Sequence, residues 1–233
     1  MTDHPPERRL VWEERWQRRD AGEFGWYLSE PPPQLVDLLQ RHRLPQGGAL
    51  DIACGNGVAA RYLAESFSPS VGFDIALAAV ARSGGAAGED RARASFLVAD
   101  ATASFPFRDA VFALVFDRGG LQNLPDGSWP HYFGEVRRVL KPGGILQLMS
   151  SRPASPSSTA RPSGRPTPRS LRARAGSLLG RRPGGGEPPG HAKLRRAVGS
   201  SFEVLAMEDF GFVTGEGKER LFTNAVLRRL PGS

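Results

Sequence analysis

The chain has 233 residues, 39% hydrophobic and 24% charged, with a formal net charge of +7. That length suits one domain, or one domain carrying an insertion, and the apolar content excludes wholesale disorder. No run of about 18 apolar residues occurs, which argues against a transmembrane helix. The start, Met1-Thr2-Asp3-His4-Pro5-Pro6-Glu7-Arg8-Arg9, has no apolar stretch behind its charges and does not read as a secretory signal. A single cysteine, Cys54, allows neither an internal disulfide nor a cysteine-based zinc site, so the expected setting is reducing and cytoplasmic. His4, His42, His131 and His191 are scattered and give a metal centre little to build from.

In chain order, the first 45 residues predict two helices, over 8–19 and 33–42. Phe24-Gly25-Trp26-Tyr27 and Pro31-Pro32-Pro33 separate them. Ala49 to Ala53 predicts a short buried strand running into glycines, followed by a helix over 58–66. A second strand is expected over 70–74, a helix over 77–83, and a third strand over 95–100. Val111 to Asp117 is apolar almost throughout, as at a sheet centre. Apolar residues at 129, 132, 133, 136, 139 and 140 give a helical face, and Lys141-Pro142-Gly143-Gly144 should stop that helix. Strands over 145–149, 202–207 and 221–227 and a helix over 193–198 complete the pattern. Alternating βα units predict an α/β fold: a mostly parallel sheet with helices on both faces.

The positive charge belongs to one segment. Residues 152–196 hold ten arginines and Lys193 against Glu187, a balance of +10, so the remainder is −3. Residues 152–190 repeat Arg, Pro, Ser and Gly. They lack the apolar area to offset their ordering entropy, so this stretch is expected to be a flexible insertion. Leu171, Leu178 and Leu179 hint at a short helix around 168–180. The expected organisation is a helical lid segment over 1–45, a core domain over 46–151 and 191–233, and the insertion between.

The chemistry is concentrated in Leu50-Asp51-Ile52-Ala53-Cys54-Gly55-Asn56-Gly57, a strand running through a glycine-rich turn into a helix. Gly55 and Gly57 let the backbone approach a ligand, at a strand end where open α/β sheets bind ligands. The helix start beyond them favours an anion. Alone, the run also fits a dinucleotide fingerprint with Ala60 at its third small position. Three acids separate the readings. Asp51 would repel a pyrophosphate and welcome an ammonium. Asp74, 17 residues after Gly57, is placed to grip a ribose diol. Asp100-Ala101 is placed to meet an adenine amino group. An ammonium, a ribose and an adenine together describe S-adenosylmethionine.

These residues resemble the class I S-adenosylmethionine-dependent methyltransferases. The resemblance covers roughly 48–150, through the run at 50–57, Gly72-Phe73-Asp74, Ala99-Asp100-Ala101, Phe116-Asp117 and Val139 to Gly144. It implies a Rossmann-like, seven-stranded, mostly parallel sheet whose last strand is antiparallel. It also implies S-adenosyl-L-methionine as cofactor, with Trp16, Trp26, Asp51, Ala53, Cys54, Gly55, Gly57, Asp74, Ile75, Asp100, Ala101, Asp117 and Arg118 around it. The family usually has glycine where Ala53 stands; alanine is expected to be tolerated if the backbone there is not left-handed.

The fourth strand end reads Asp117-Arg118-Gly119-Gly120-Leu121, not the Asn/Asp-Pro-Pro-aromatic run of enzymes that methylate nucleobase or glutamine amide nitrogens. With Val11-Trp12-Glu13-Glu14-Arg15-Trp16, Arg195-Arg196-Ala197-Val198, Phe202-Glu203-Val204 and Leu227-Arg228-Arg229, it resembles the thiopurine, thiol and tellurite-type small-molecule branch. The expected reaction is methyl transfer to the sulfur, oxygen or nitrogen of a small molecule. Asp117 is the first candidate for a catalytic carboxylate and His131 a candidate base. The aromatic ring of Trp16, Trp26 or Tyr27 is expected to close over the methionine end and help wall the acceptor pocket. Two alternatives stay open: an RNA or protein acceptor docked through the arginine-rich insertion, and a non-catalytic cofactor-binding partner subunit. The insertion has no aromatic residues for base stacking, which argues against nucleic acid. No membrane partner is expected, and no motif sets an oligomeric state.

Overall fold

The computed structural model of the chain describes residues 6–18, 25, 27–84, 94–152, 189–213 and 219–232. The insertion expected over 152–190, with its short helix, lies outside the described residues apart from its flanks Arg152, Pro189 and Gly190.

Helix α1 (Pro6–Arg18) is followed by α2 (Pro33–Arg41), which starts on a proline at its first position, where no backbone N–H is needed. Strand β1 (Gly48–Ile52), α3 (Val58–Leu63), β2 (Ser70–Asp74), α4 (Leu77–Gly84), β3 (Ala94–Val98) and β4 (Phe112–Arg118) follow in alternation. Then come α5 (Trp129–Val139), β5 (Leu140–Arg152), α6 (Pro189–Val198), β6 (Phe202–Val213) and β7 (Glu219–Arg229). Every residue of β1 and β2 is buried, as in a parallel strand covered on both faces.

The strands form one sheet in the order β3-β2-β1-β4-β5-β7-β6. The first five run parallel, and β7 runs antiparallel to both β5 and β6. This is the Rossmann-like, seven-stranded architecture. Leu50, Ile52, Phe73 and Val115 pack one face against Tyr132 and Val136 of α5 and Leu194 of α6. Ala49, Leu114 and Phe116 pack the other against Leu35 and Leu38 of α2 and Leu63 of α3. Helix α1 adds a satellite contact, with Trp16 against Ala76 and Ala79 beside α4.

Two boundaries differ from expectation for physical reasons. Lys141-Pro142-Gly143-Gly144 ends α5 as expected, but the same residues then enter β5. Phe112 pairs with Leu140 and Leu114 with Ile145, so the register shifts and 141–144 bulge from the sheet. Gly143 has φ +76°, and a Cβ on Gly144 would lie 2.9 Å from the Lys141 carbonyl, so both glycines serve the bulge. The antiparallel β6–β7 pair also runs well past the predicted strands, because each residue added to one strand finds a partner on the other. Among the described residues no helix is long and apolar enough to cross a membrane.

Phe73 is 1% exposed and meets Phe105 edge-on at 5.2 Å, joining β2 to the segment before β4. Phe73→Ala should cost about 3 to 5 kcal/mol through the cavity it leaves. A urea denaturation series on the two proteins reads this directly.

Candidate active site

The ends of β1, β2, β3 and β4 form one rim. After β1 the chain makes a turn with three left-handed residues: Ala53 (φ +53°), Gly55 (φ +54°) and Gly57 (φ +74°). Hydrogen bonds from Cys54 N–H to the Phe73 carbonyl (2.9 Å) and from Gly57 N–H to the Cys54 carbonyl (2.8 Å) fix it. Glycine at 57 is also a packing requirement, since a Cβ there would lie 2.6 Å from the Phe96 ring. Alanine at 53 does sit in the left-handed region, contrary to the expectation under which it would be unstrained. The bonds around the turn hold it there at a cost of about 1 to 2 kcal/mol.

Asp51 is 2% exposed and accepts the Ala60 N–H at 3.2 Å. Burial pushes its carboxyl well above the usual range, with that N–H opposing. Arg118, at the end of β4, lines the same pocket. Burial lowers its pKa to about 10, the Asp51 charge opposing, so it remains a cation at neutral pH. The pocket floor is the Ala53–Asn56 turn, and Phe116 lies beside Arg118. Tyr27, Leu28 and Pro32 form the far wall. Asn56 donates its side-chain N–H to the Leu28 carbonyl at 3.2 Å, which ties that wall to the turn.

Asp74 receives the Gly55 N–H on one oxygen and the Ala76 N–H on the other, both at 3.0 Å. Its pKa is raised by burial, and those N–H groups oppose the rise. Ile75 follows it, half-buried. Asp100 accepts both the N–H and the hydroxyl of Thr102 on a single oxygen, at 2.8 and 2.6 Å, with Ala101 buried beside it. Trp16 is 2% exposed, and its ring lies 3.1 Å from where a Gly55 Cβ would stand. Glu13 docks α1 by accepting the Ala78 N–H on both oxygens, at 3.2 and 3.3 Å. Trp26 lies outside the described residues.

The structure therefore gathers Asp51, Ala53, Cys54, Gly55 and Arg118 in one pocket. It sets Asp74, Ile75, Asp100 and Ala101 on the adjoining strand ends. It does not bring Asp117 or His131 to the pocket. Asp117 points to the opposite face of β4, fully buried, with Gly120, Leu121 and Tyr132 donating to it. His131 is exposed on the outer side of α5. Neither lines this pocket, unlike what was expected of two catalytic groups. Cys54 is buried, and burial pushes its thiol well up, so it is not a thiolate nucleophile. Glu13, Asn56, Thr102 and Phe116 were missed. Only Asn56 carried a signal, as the polar residue inside the glycine turn.

Two measurements follow from this geometry. Ala53→Gly should relieve about 1 to 2 kcal/mol of left-handed strain against about 0.5 to 1 kcal/mol of added chain entropy. A net gain of roughly 1 kcal/mol, read as a higher urea midpoint, is the expected result. Burial pushes the Asp117 pKa from 3.8 to about 6. The native state then takes up this proton before the unfolded chain does. Its contribution is fully present below about pH 4 and is lost as pH rises through about 6. Asp117→Asn should flatten that part of the melting-temperature profile.

Residues 49–144 match a family described as a methyltransferase domain. Among curated proteins the chain is similar to a probable thiol methyltransferase 2 of Arabidopsis thaliana, at 32% identity over 58% of this chain and 58% of that one. It is similar also to a 2-heptyl-1-hydroxyquinolin-4(1H)-one methyltransferase of Mycobacteroides abscessus, at 29% identity over 51% and 52%. The chain thus spans about half the length of the curated relatives it matches. A solved S-adenosylmethionine-dependent methyltransferase of Methanosarcina mazei superposes with a TM-score of 0.61 at 23% identity, covering 86% of this chain and 99% of that one. Residues 49–144 thus match a methyltransferase domain, and the chain has the fold of a solved S-adenosylmethionine-dependent methyltransferase, in agreement with the strand-end acids.

Proposed function

We propose that the protein transfers a methyl group from S-adenosylmethionine to a small-molecule acceptor, with a thiol or an acidic hydroxyl as the acceptor group. The observation that carries this reading is the pairing of Asp51 and Arg118. A carboxyl and a guanidinium cation, from the ends of neighbouring strands, line one pocket. That arrangement fits a zwitterion: Asp51 for an α-ammonium and Arg118 for an α-carboxylate. The fit extends along the rim. Asp74, held by backbone N–H groups on both oxygens, keeps acceptor capacity for a ribose diol. Asp100 has one oxygen beyond the Thr102 contacts for an adenine amino group.

When bound, S-adenosylmethionine supplies a methyl group on a sulfonium, which leaves as a neutral thioether when an acceptor lone pair forms the new bond to carbon. The protein's task is to hold the two partners in line and exclude water. Tyr27, Leu28 and Pro32, which line the pocket, serve this task. Cys54 and Arg118 are not bases at neutral pH, and Asp51 is engaged by Ala60. An acceptor that ionises by itself therefore suits the pocket, its proton passing to solvent. One relative is named for thiols and another for 2-heptyl-1-hydroxyquinolin-4(1H)-one, which supports the same acceptor class.

The experiment is twofold. Calorimetry should show binding of S-adenosylhomocysteine and none of a nicotinamide dinucleotide. Asp74→Ala should weaken that binding by about 1.5 to 3 kcal/mol per bond lost. Methyl-labelled cofactor should then mark members of a panel of thiols and N-hydroxyquinolones. Label appearing on RNA or protein and on none of the panel would overturn the small-molecule reading. Cofactor binding with no transfer to any of them would make the chain a non-catalytic subunit.

A further inference from the structure

The last residues of β4 alternate between its two faces. Phe116 and Arg118 line the pocket, and Asp117 points away from it toward α5. One Asp117 oxygen accepts the Gly120 N–H at 2.6 Å. The other accepts the Leu121 N–H at 3.0 Å and the Tyr132 hydroxyl at 2.7 Å. A Cβ on Gly120 would lie 2.7 Å from that second oxygen, so the turn closes only around a glycine. Gly119, at φ +89°, donates its N–H to the Met149 carbonyl at 2.8 Å. Asn123 completes the turn by donating to the Gly119 and Gly120 carbonyls, at 2.6 and 2.9 Å.

Two adjacent glycines leave a chain free to take many conformations. Here the segment immediately after Arg118 is held in one of them, and the holder is a buried carboxylate. A buried anion is expensive to desolvate, and an apolar side chain of similar volume would serve stability alone as well or better. Its two backbone donors lie two and three residues beyond Arg118. Its third donor sits on a ring clamped edge-on between Phe105 (6.2 Å) and Phe133 (5.2 Å). The result is a rigid bracket from α5 to the turn that follows Arg118 at the end of β4.

We propose that Asp117 and Tyr132 form a positioning pair that aims Arg118 at the methionine end of the pocket. This rests on the reading of Arg118 as the partner of the cofactor carboxylate. The pair touches no ligand and acts through the turn. Loss of the bracket leaves Arg118 present but unaimed, and a bidentate contact tolerates little misplacement.

The test compares S-adenosylhomocysteine with methylthioadenosine, which keeps the adenosine and the sulfur but lacks the amino acid. Tyr132→Phe retains the ring and removes only the hydroxyl, and thermal melting confirms its fold. It should weaken S-adenosylhomocysteine roughly 3- to 10-fold and leave methylthioadenosine unchanged. Asp117→Asn should act in the same sense and more strongly. Arg118→Met should shrink the preference for S-adenosylhomocysteine further, and Tyr132→Phe added to it should change nothing more. Equal weakening of both ligands by Tyr132→Phe, or of neither, while Arg118→Met still shrinks the preference, overturns the positioning pair and spares the reading of Arg118. A preference untouched by Arg118→Met overturns that reading, and the pair with it.

Discussion

The carboxylate of Asp74 receives one N–H from the turn after β1 and another from the start of α4, both at 3.0 Å. Neither segment has a neighbour within its own strand or helix for that donor. Without the carboxylate, Gly55 and Ala76 would each leave a buried N–H unpaired, at about 1 to 3 kcal/mol apiece. The rest of the rim follows from this anion. Gly55, held left-handed, leaves space above it for the Trp16 ring. Trp16 seats α1 on Ala76 and Ala79, and Glu13 fastens the same helix to the Ala78 N–H. Asn56, next in the turn, reaches the Leu28 carbonyl and brings the second N-terminal segment over the pocket. One side chain at a strand end thus organises the glycine turn and, through it, both walls.

The same bonds fix the orientation of the Asp74 carboxylate. A carboxylate has about four lone-pair sites, and backbone N–H groups on both oxygens hold this one in a fixed orientation. An acceptor held in this way needs no rearrangement to meet a further donor. Burial raises the Asp74 pKa, yet three backbone N–H groups, of Ala76, Gly55 and Ile75, oppose the rise. The desolvation is borne during folding, not when a ligand arrives.

The strands and the order of their acids were legible in the sequence because they are local. Apolar runs of five residues ending in Asp or Gly recur along the chain, and a parallel sheet places all those ends on one edge. Which face each residue takes was not legible where a strand is apolar on both sides. Phe112 to Phe116 shows no alternation, so nothing in the run says that Asp117 turns away from the pocket while Arg118 enters it. His131 is a different case. The apolar stripe at 132, 133, 136 and 139 already puts position 131 on the far side of α5, and the structure leaves it exposed. The handedness of Ala53 could not be read at all, because an alanine carries no mark of a left-handed backbone. Glu13 and Tyr132 act across 65 and 15 residues of chain, distances at which spacing holds no information.

The charges at the ends of β1 and β4 illustrate why the site needs both strands in this register. Asp51 pairs with Phe116 across the two strands, and Ile52 pairs with Asp117. Arg118 therefore stands two residues further along than Asp51, roughly 7 Å along the strands and about 4.8 Å across. At that offset each charge moderates the cost of burying the other: Asp51 opposes the fall in the Arg118 pKa, and Arg118 the rise in that of Asp51. The moderation is incomplete, since burial stays the largest cause for both. A group carrying an ammonium and a carboxylate on one carbon can lie between them and give each its counter-charge. A register slip of one residue would send Arg118 to the α5 face and Asp117 to the pocket, leaving two carboxyl groups where a carboxyl and a guanidinium cation now stand.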